Sequence, residues 1–279
     1  MPPDANDLLR RATAPQTDTT PTPHALLIFA HQDDETVALG GRLGRYGAAY
    51  LLHVTDGAPR NEHDSRAHGF LSWQEYRSAR AAELACALDL AGIGAMSHSC
   101  LEIADQEASL HLAEITRRIV SHIDSLHPEV ILTHPYEGGH PDHDACAFAV
   151  HHAVAMRAAA EHAALPIIEC GFYHAGDVGI ETGRFLAGPG SSFEAAYDLT
   201  PEEQAHKRAL LRCFVTQTDT LSYFTLKQER FRIAPQYDFT KPPHPGPAFY
   251  DGFPWGMETK RFCDLAAQAE QELNNETRA

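Results

Sequence analysis

The sequence predicts an α/β fold, Rossmann-like, with a mostly parallel sheet covered on both faces by helices and followed by a less regular C-terminal extension. Three observations carry this. Apolar runs of strand length alternate with segments of helical period from Ala25 to Tyr173. Two of the strand-to-helix junctions are dense in His, Asp and Glu, and beyond Gly176 the alternation lapses. The 279 residues suffice for one large core, and 43% hydrophobic with 22% charged residues is an ordinary folding composition.

Residues 1–24 carry scattered Pro and Thr without a hydrophobic period and read as a flexible arm. The core domain is expected over residues 25–175. Its first βαβ unit is a strand over Ala25 to Ala30, a helix over Glu35 to Tyr46 and a strand over Ala49 to Thr55 that runs into Asp56-Gly57. A helix over Trp73 to Ala91, a weaker strand over Ser97 to Ile103, a helix near Leu110 to Leu126 and a strand over Val130 to Thr133 follow. After Pro141 an alanine-rich helix runs to about Ala163, and Pro166 introduces a strand over Ile167 to Tyr173. In the extension, residues 176–279, Thr200-Pro201-Glu202-Glu203 has the form of a capped helix start, leading to about Val215. Pro235 to Pro254, with Tyr237, Phe239, Phe249, Tyr250 and Phe253 and then Trp255, reads as loop. Such a loop either shapes a pocket or an oligomer contact, or packs on its own aromatics.

The formal net charge of -16, spread along the chain, disfavours a nucleic-acid partner. No apolar run of about 18 residues is present to span a bilayer, and the first residues lack a signal peptide's basic start and apolar core, so a cytoplasmic location is expected. Cys86, Cys100, Cys146, Cys170, Cys213 and Cys263 stand far apart in sequence and read as reduced structural thiols.

The chemistry concentrates at two junctions. His31-Gln32-Asp33-Asp34-Glu35 follows the first strand, and His134-Pro135-Tyr136-Glu137-Gly138-Gly139-His140-Pro141-Asp142-His143-Asp144 follows the fourth. Helix capping and the helix dipole alone favour acidic residues at such positions, but they do not account for His140 and His143. In a sheet of order 3-2-1-4-5 the first and fourth strands are neighbours, and both junctions face one crevice. Imidazole and carboxylate donors without thiolates suit zinc, with iron(II) as the competitor.

These two junctions resemble the motif pair of the PIG-L/LmbE-like deacetylases, His-Pro-Asp-Asp-Glu and His-x-Asp-His, over roughly residues 25–175. Here Gln32 stands where the family has Pro, which leaves the turn freer and adds an amide able to reach a ligand. The resemblance implies that His31, Asp34 and His143 hold the metal and that Asp33 is the general base. It also implies that His140, oriented and kept protonated by Asp142, stabilises the oxyanion or protonates the leaving amine. Arg80, with Glu83, resembles a family Arg-x-x-Glu pattern and is a candidate substrate contact, although an i,i+3 surface pair explains it as well. Tyr136 and Glu137 are candidate sugar contacts, and His134 is a candidate partner of the ligands. Glu229, Arg230, Phe231 and Arg232 also resemble a family stretch, without an assignable role. His151, His152, His53, His63 and His68 show no ligand spacing.

The implied activity is hydrolysis of the N-acetyl group of an amino sugar or N-acetylglucosamine conjugate. An amidase for a larger acyl group, or a non-catalytic carbohydrate-binding protein, are the alternatives. A dinucleotide-binding oxidoreductase is disfavoured, because Gly40, Gly41 and Gly44 do not form a Gly-x-Gly-x-x-Gly turn directly after the strand. A homo-oligomer is compatible with the aromatic loop.

Overall fold

Five apolar runs form the parallel part of the sheet in the computed structural model, which describes residues 4–160, 165–186 and 194–277. They are β1 (Ala25–Phe29), β2 (Tyr50–Pro59), β3 (Ser97–Asp105), β4 (Val130–Thr133) and β5 (Ile167–Cys170). Two short strands, β6 (Tyr173–Ala175) and β7 (Ile180–Thr182), pair as a separate antiparallel ribbon, and β8 (Glu194–Asp198) and β9 (Gln228–Ile233) complete the main sheet. The order is β3-β2-β1-β4-β5-β9-β8, with β9 and β8 added antiparallel. The register Leu26↔Tyr50 and Leu26↔Ile131 sets β1 between β2 and β4.

Every residue of β1 and β4 is buried, which is why these strands read as continuous apolar runs. Alternate side chains divide between two cores. Leu26 and Ile28 face the helices α5 and α6, whereas Leu27 and Phe29 face the other side. The helices are α1 (Ala5–Ala12), α2 (Asp34–Leu39), α3 (His63–Ala67), α4 (Trp73–Leu90), α5 (Leu112–Leu126), α6 (Pro141–Ala159), α7 (Pro201–Leu211), α8 (Thr218–Leu221) and α9 (Thr259–Thr277). The capping box predicted at Thr200 and Glu203 opens α7.

Four expectations are corrected. The stretch read as a flexible arm contains α1, capped by Asp4, with Leu8, Leu9 and Ala12 buried. Arg45 fastens the following chain by donating to the carbonyls of Ala14 and Thr20. The helix expected to Tyr46 stops at Leu39 and resumes as a 3₁₀ turn, Leu43–Tyr46. A Cβ on Gly40 would lie 2.7 Å from Lys207 Cγ, and one on Gly41 2.6 Å from Leu199 Cδ2, so the glycine pair admits α7 and its approach. The strand expected over Ile167 to Tyr173 breaks after Cys170, and Tyr173 joins the ribbon instead. The alanine-rich helix ends at Ala159, and residues 161–164 lie outside the described residues.

The family-like stretch in β9 holds two buried ionic clusters. Glu229 accepts from Gly41 N, Arg42 Nε and Lys207 Nζ, and Lys207 Nζ also donates to Val37 O at the end of α2. Arg232 pairs with Glu169 and Glu137. Among the cysteines, Cys86 on α4 and Cys213 after α7 meet, Sγ to Sγ 2.7 Å, although they are 127 residues apart.

Candidate metal and catalytic site

Because β1 and β4 are parallel neighbours, the chain leaving each enters the same crevice at the carboxyl edge of the sheet. Asp34 opens α2, and its Oδ2 accepts from His31 N at 2.7 Å. His143 lies in the first turn of α6, which Pro141 starts. His31 Nδ1 is 3.4 Å from Asp34 Oδ2, and His143 Nε2 is 3.4 Å from Asp34 Oδ1. The two contacts end on different oxygens of Asp34, and one ligand atom from each of the three residues lies within 4.8 Å of the others, so this buried triangle has the donor set for a divalent metal. It is one of two His/Asp groupings among the described residues that could hold a metal; the other joins His31, Asp105, His140 and Asp142.

The second grouping orients the first. His31 Nε2 stands 3.1 Å from Asp105 Oδ1 and 3.3 Å from Asp142 Oδ2, an arrangement that places the ring proton on Nε2 and leaves Nδ1 as a donor atom for a metal. Burial works against a charged His31, but Asp105, Asp142 and Asp34 outweigh it and raise its proton affinity well above the ordinary value. Burial likewise works against the carboxylates of Asp34 and Asp105. The histidines His143 and His134 hold Asp34 low, and His31 holds Asp105 low. Asp105 escaped the sequence reading because the third strand was ended at Ile103. Its position at the carboxyl end of a parallel strand was the signal.

The caps run opposite to residue preference. Asp33 occupies the N-cap position of α2 yet caps nothing, and its φ of 142° is a strained backbone for a residue with a side chain. Its carboxylate faces the cavity beside Arg80 Nη2 at 3.4 Å. Burial raises its pKa to about 8, against the pull of Arg80. His140, a poor cap by type, does cap α6: its Nδ1 accepts from Asp142 N at 3.1 Å. That bond corrects the expectation that Asp142 keeps His140 protonated. Burial, with His31 and His143 beside it, depresses the His140 pKa well below 6.5, and the Asp142 carboxylate accepts from Gln106 N and Ala108 N instead.

The remaining candidates separate. Arg80 is buried at the cavity wall, where it donates to Gln32 O at 2.9 Å and flanks Asp33. It forms no surface pair with Glu83, whose carboxylate accepts from Thr216 N and Oγ1. Tyr136 and Glu137 do not line the cavity. The Tyr136 ring packs against Phe239 and Phe262 and its hydroxyl donates to Lys241 O, while Glu137 accepts from Leu186 N and pairs with Arg232. The Gln32 amide donates to Thr55 O and lies outside the cavity lining, so it does not reach a ligand there. His134 is buried behind the triangle, stacked on His143 at 3.9 Å, and its Nε2 accepts from Ala30 N.

Above these groups lies a cavity of about 240 Å³, completed by Tyr173, Thr216, Asp219, Leu221, Phe224 and Trp255. Most of this outer wall comes from after residue 170: Tyr173 was expected in a strand, Trp255 follows the loop read as shaping either a pocket or an oligomer contact, and Thr216 to Phe224 had no assignment.

Residues 26–154 match the family model described as PIG-L: GlcNAc-PI de-N-acetylase, which spans β1 to most of α6 and includes both motifs. Teicoplanin deacetylase is a structural neighbour with TM-score 0.59 and 17% identity, the match covering 77% of this chain and 98% of that one. A zinc-inhibited form of the teicoplanin deacetylase Orf2 gives 0.56 and 15% over the same shares, 77% and 98%. N,N'-diacetylchitobiose deacetylase from Pyrococcus horikoshii gives 0.53 and 18% over 82% and 91%. These likenesses are of fold. No curated protein matches the chain in sequence. The segment that builds the crevice and carries both of its motifs is thus the segment that matches the PIG-L family model.

Proposed function

We propose that this chain is a metal-dependent hydrolase that removes the N-acetyl group from an amino sugar or an N-acetylglucosamine-containing conjugate, releasing acetate and a free amine. The observation that carries the reading is the His31, Asp34 and His143 triangle with Asp33 beside it, all opening into one cavity. The triangle is the proposed ligand set, for zinc first and iron(II) second. A bound ion there supplies Lewis acidity, which polarises the amide carbonyl and acidifies water.

The chain's own groups account for the proton movements. Asp33 accepts a proton from the attacking water, and its raised proton affinity suits it to hand that proton to the leaving nitrogen. Arg80 anchors Asp33 and its loop through the Gln32 carbonyl. Neutral His140, with Nδ1 engaged by Asp142 N, carries its proton on Nε2 and donates to the oxyanion. Asp142 and Asp105 set the tautomer of His31. The larger-acyl amidase would use the same residues, and release of acetate compared with release of longer acyl groups from the same sugar separates the two.

The test is metal content of the purified protein together with acetate release from a panel of N-acetylglucosamine derivatives, before and after chelation. About one metal per chain, with activity that chelation abolishes and zinc restores, is expected. A metal-free active protein would overturn the mechanism.

A further inference from the structure

The cavity opens beside a run of aromatic rings that the hydrolysis itself does not use. Trp255 lies 4.7 Å from His140, ring to ring, and stacks on Phe253 at 4.4 Å and 12°. Phe253 in turn meets Phe249 at 5.0 Å, and Phe249 meets Tyr173 at 5.7 Å. The run therefore leads from a cavity-lining ring next to the catalytic histidine out to Phe253, which is 39% exposed. Phe253 is exposed while Trp255, Phe249 and Tyr173 are partly buried, so the run keeps apolar ring area at the water boundary, which suits the apolar face of another ring. The ribbon reinforces the placement, since a Cβ at Gly139 would lie 2.1 Å from Tyr173 O, so this glycine of the second motif lets Tyr173 close against the site.

Charge narrows the occupant. Asp33, Asp34, Asp64, Asp105 and Asp219 line the cavity, and its one Lys or Arg among the described residues, Arg80, is already engaged by Asp33. The whole chain carries -16. Five carboxylates outnumber the charge of Arg80 and one divalent ion at the triangle, so a phosphate or carboxylate on the group next to the reacting sugar still meets net repulsion.

We infer that Trp255, Phe253 and Phe249 form an acceptor subsite that stacks an uncharged ring carried next to the N-acetylated sugar, and that anionic conjugates are excluded. This rests on the deacetylase reading above and specifies its substrate class. The shared chemistry is a flat or apolar-faced ring, which a second sugar or an aryl aglycone can supply.

The chain has two tryptophans, Trp73 and Trp255, so W73F leaves Trp255 as the single emitter. In W73F/D33N, metal-loaded, Trp255 emission is titrated with N,N'-diacetylchitobiose, phenyl N-acetylglucosaminide, methyl N-acetylglucosaminide and N-acetylglucosamine 1-phosphate. At least one ring-bearing ligand should shift the emission and bind about threefold to tenfold more tightly than the methyl glycoside, the range of one stacking contact. The tighter of the two identifies the ring. The phosphate should bind most weakly. In the protein with Asp33 intact, F253A and W255A should each lower the ratio of kcat/KM for the preferred ring substrate to that for the methyl glycoside, and W255F should restore most of it. An unchanged ratio in both alanine variants, or a phosphate that binds as tightly as the ring ligands, overturns the inference. Emission shifts without acetate release from any substrate would sink the hydrolase reading and leave the subsite standing, whereas acetate release with no preference among the ligands would sink the subsite alone.

Discussion

Glu229→Leu asks whether a buried charge cluster far from the reacting atoms sets the position of the site. Glu229 Oε1 accepts from Gly41 N at 2.8 Å and Lys207 Nζ at 2.9 Å, and Oε2 accepts from Arg42 Nε at 2.7 Å. Arg42 and Lys207 are both buried. Burial opposes ionisation of Glu229, but Lys207 and Arg42 outweigh it and depress its pKa. Its stabilisation is therefore present above the ordinary carboxylate range and is lost as pH falls through the depressed value. Removing one partner of a buried pair costs about 3–5 kcal/mol. Here two cations lose their counter-charge, while Lys207 keeps Val37 O and Arg42 keeps Thr13 O. A loss of about 4 kcal/mol follows, or a Tm lower by about 10 °C in a chain of this size. The measurement is urea unfolding with an unchanged m-value, against Glu229→Gln, which retains an acceptor and should lose less. The variant should also hold metal more weakly, because Lys207 ties the last turn of α2, whose first residue is Asp34. A loss below about 1 kcal/mol, the scale of an exposed ion pair, would refute the reasoning.

Four further outcomes are expected. Asp33→Ala should lower kcat by about 10²–10⁴-fold with metal content intact, measured by acetate release and elemental analysis; undiminished turnover would remove Asp33 from proton transfer. Asp34→Ala and His143→Ala should each lose metal before they lose fold, seen as reduced occupancy with native circular dichroism, and full occupancy in both would show the ligands misassigned. Burial raises the Glu137 pKa to about 8 despite Arg232, so the folded protein binds a proton there that the unfolded chain releases from about pH 4.3 upward. Its contribution therefore makes stability fall as pH rises from that value to about 8, and Glu137→Gln should flatten this slope in pH-dependent unfolding; an identical slope would contradict the assignment. Diamide should remove two titratable thiols from the monomer by joining Cys86 and Cys213, and Cys86→Ser should prevent it, as peptide mapping without reductant will show.

The placement of the two motifs rested on short-range facts: apolar runs, a proline at a helical first position, and histidines where capping does not call for them; the ligand set itself rested on the resemblance of those motifs to the family's. What those facts left out has a common cause in long-range packing. Asp33 and His140 exchange their expected capping behaviour because the crevice between β1 and β4 draws Asp33 toward Arg80, while Asp142 N meets His140. Asp142 itself turns to Gln106, Ala108 and His31.

By itself, the sequence determined the alternation of strands and helices and the two His/Asp-rich junctions; the strand order that joins them was assumed from the common order of such sheets, and His31, Asp34 and His143 came as ligands from the family resemblance. The alternation and the junctions depend on hydrophobic period and motif spacing, which are local and survive in one dimension. Only the tertiary structure decided that α1 is packed, that Tyr136 and Glu137 serve the core and an ion cluster, that Asp105 supports His31, and that Trp255 and Tyr173 wall the cavity. Each of those outcomes depends on partners distant in the chain, and burial against them, more than the residue's own type, sets what the side chain does.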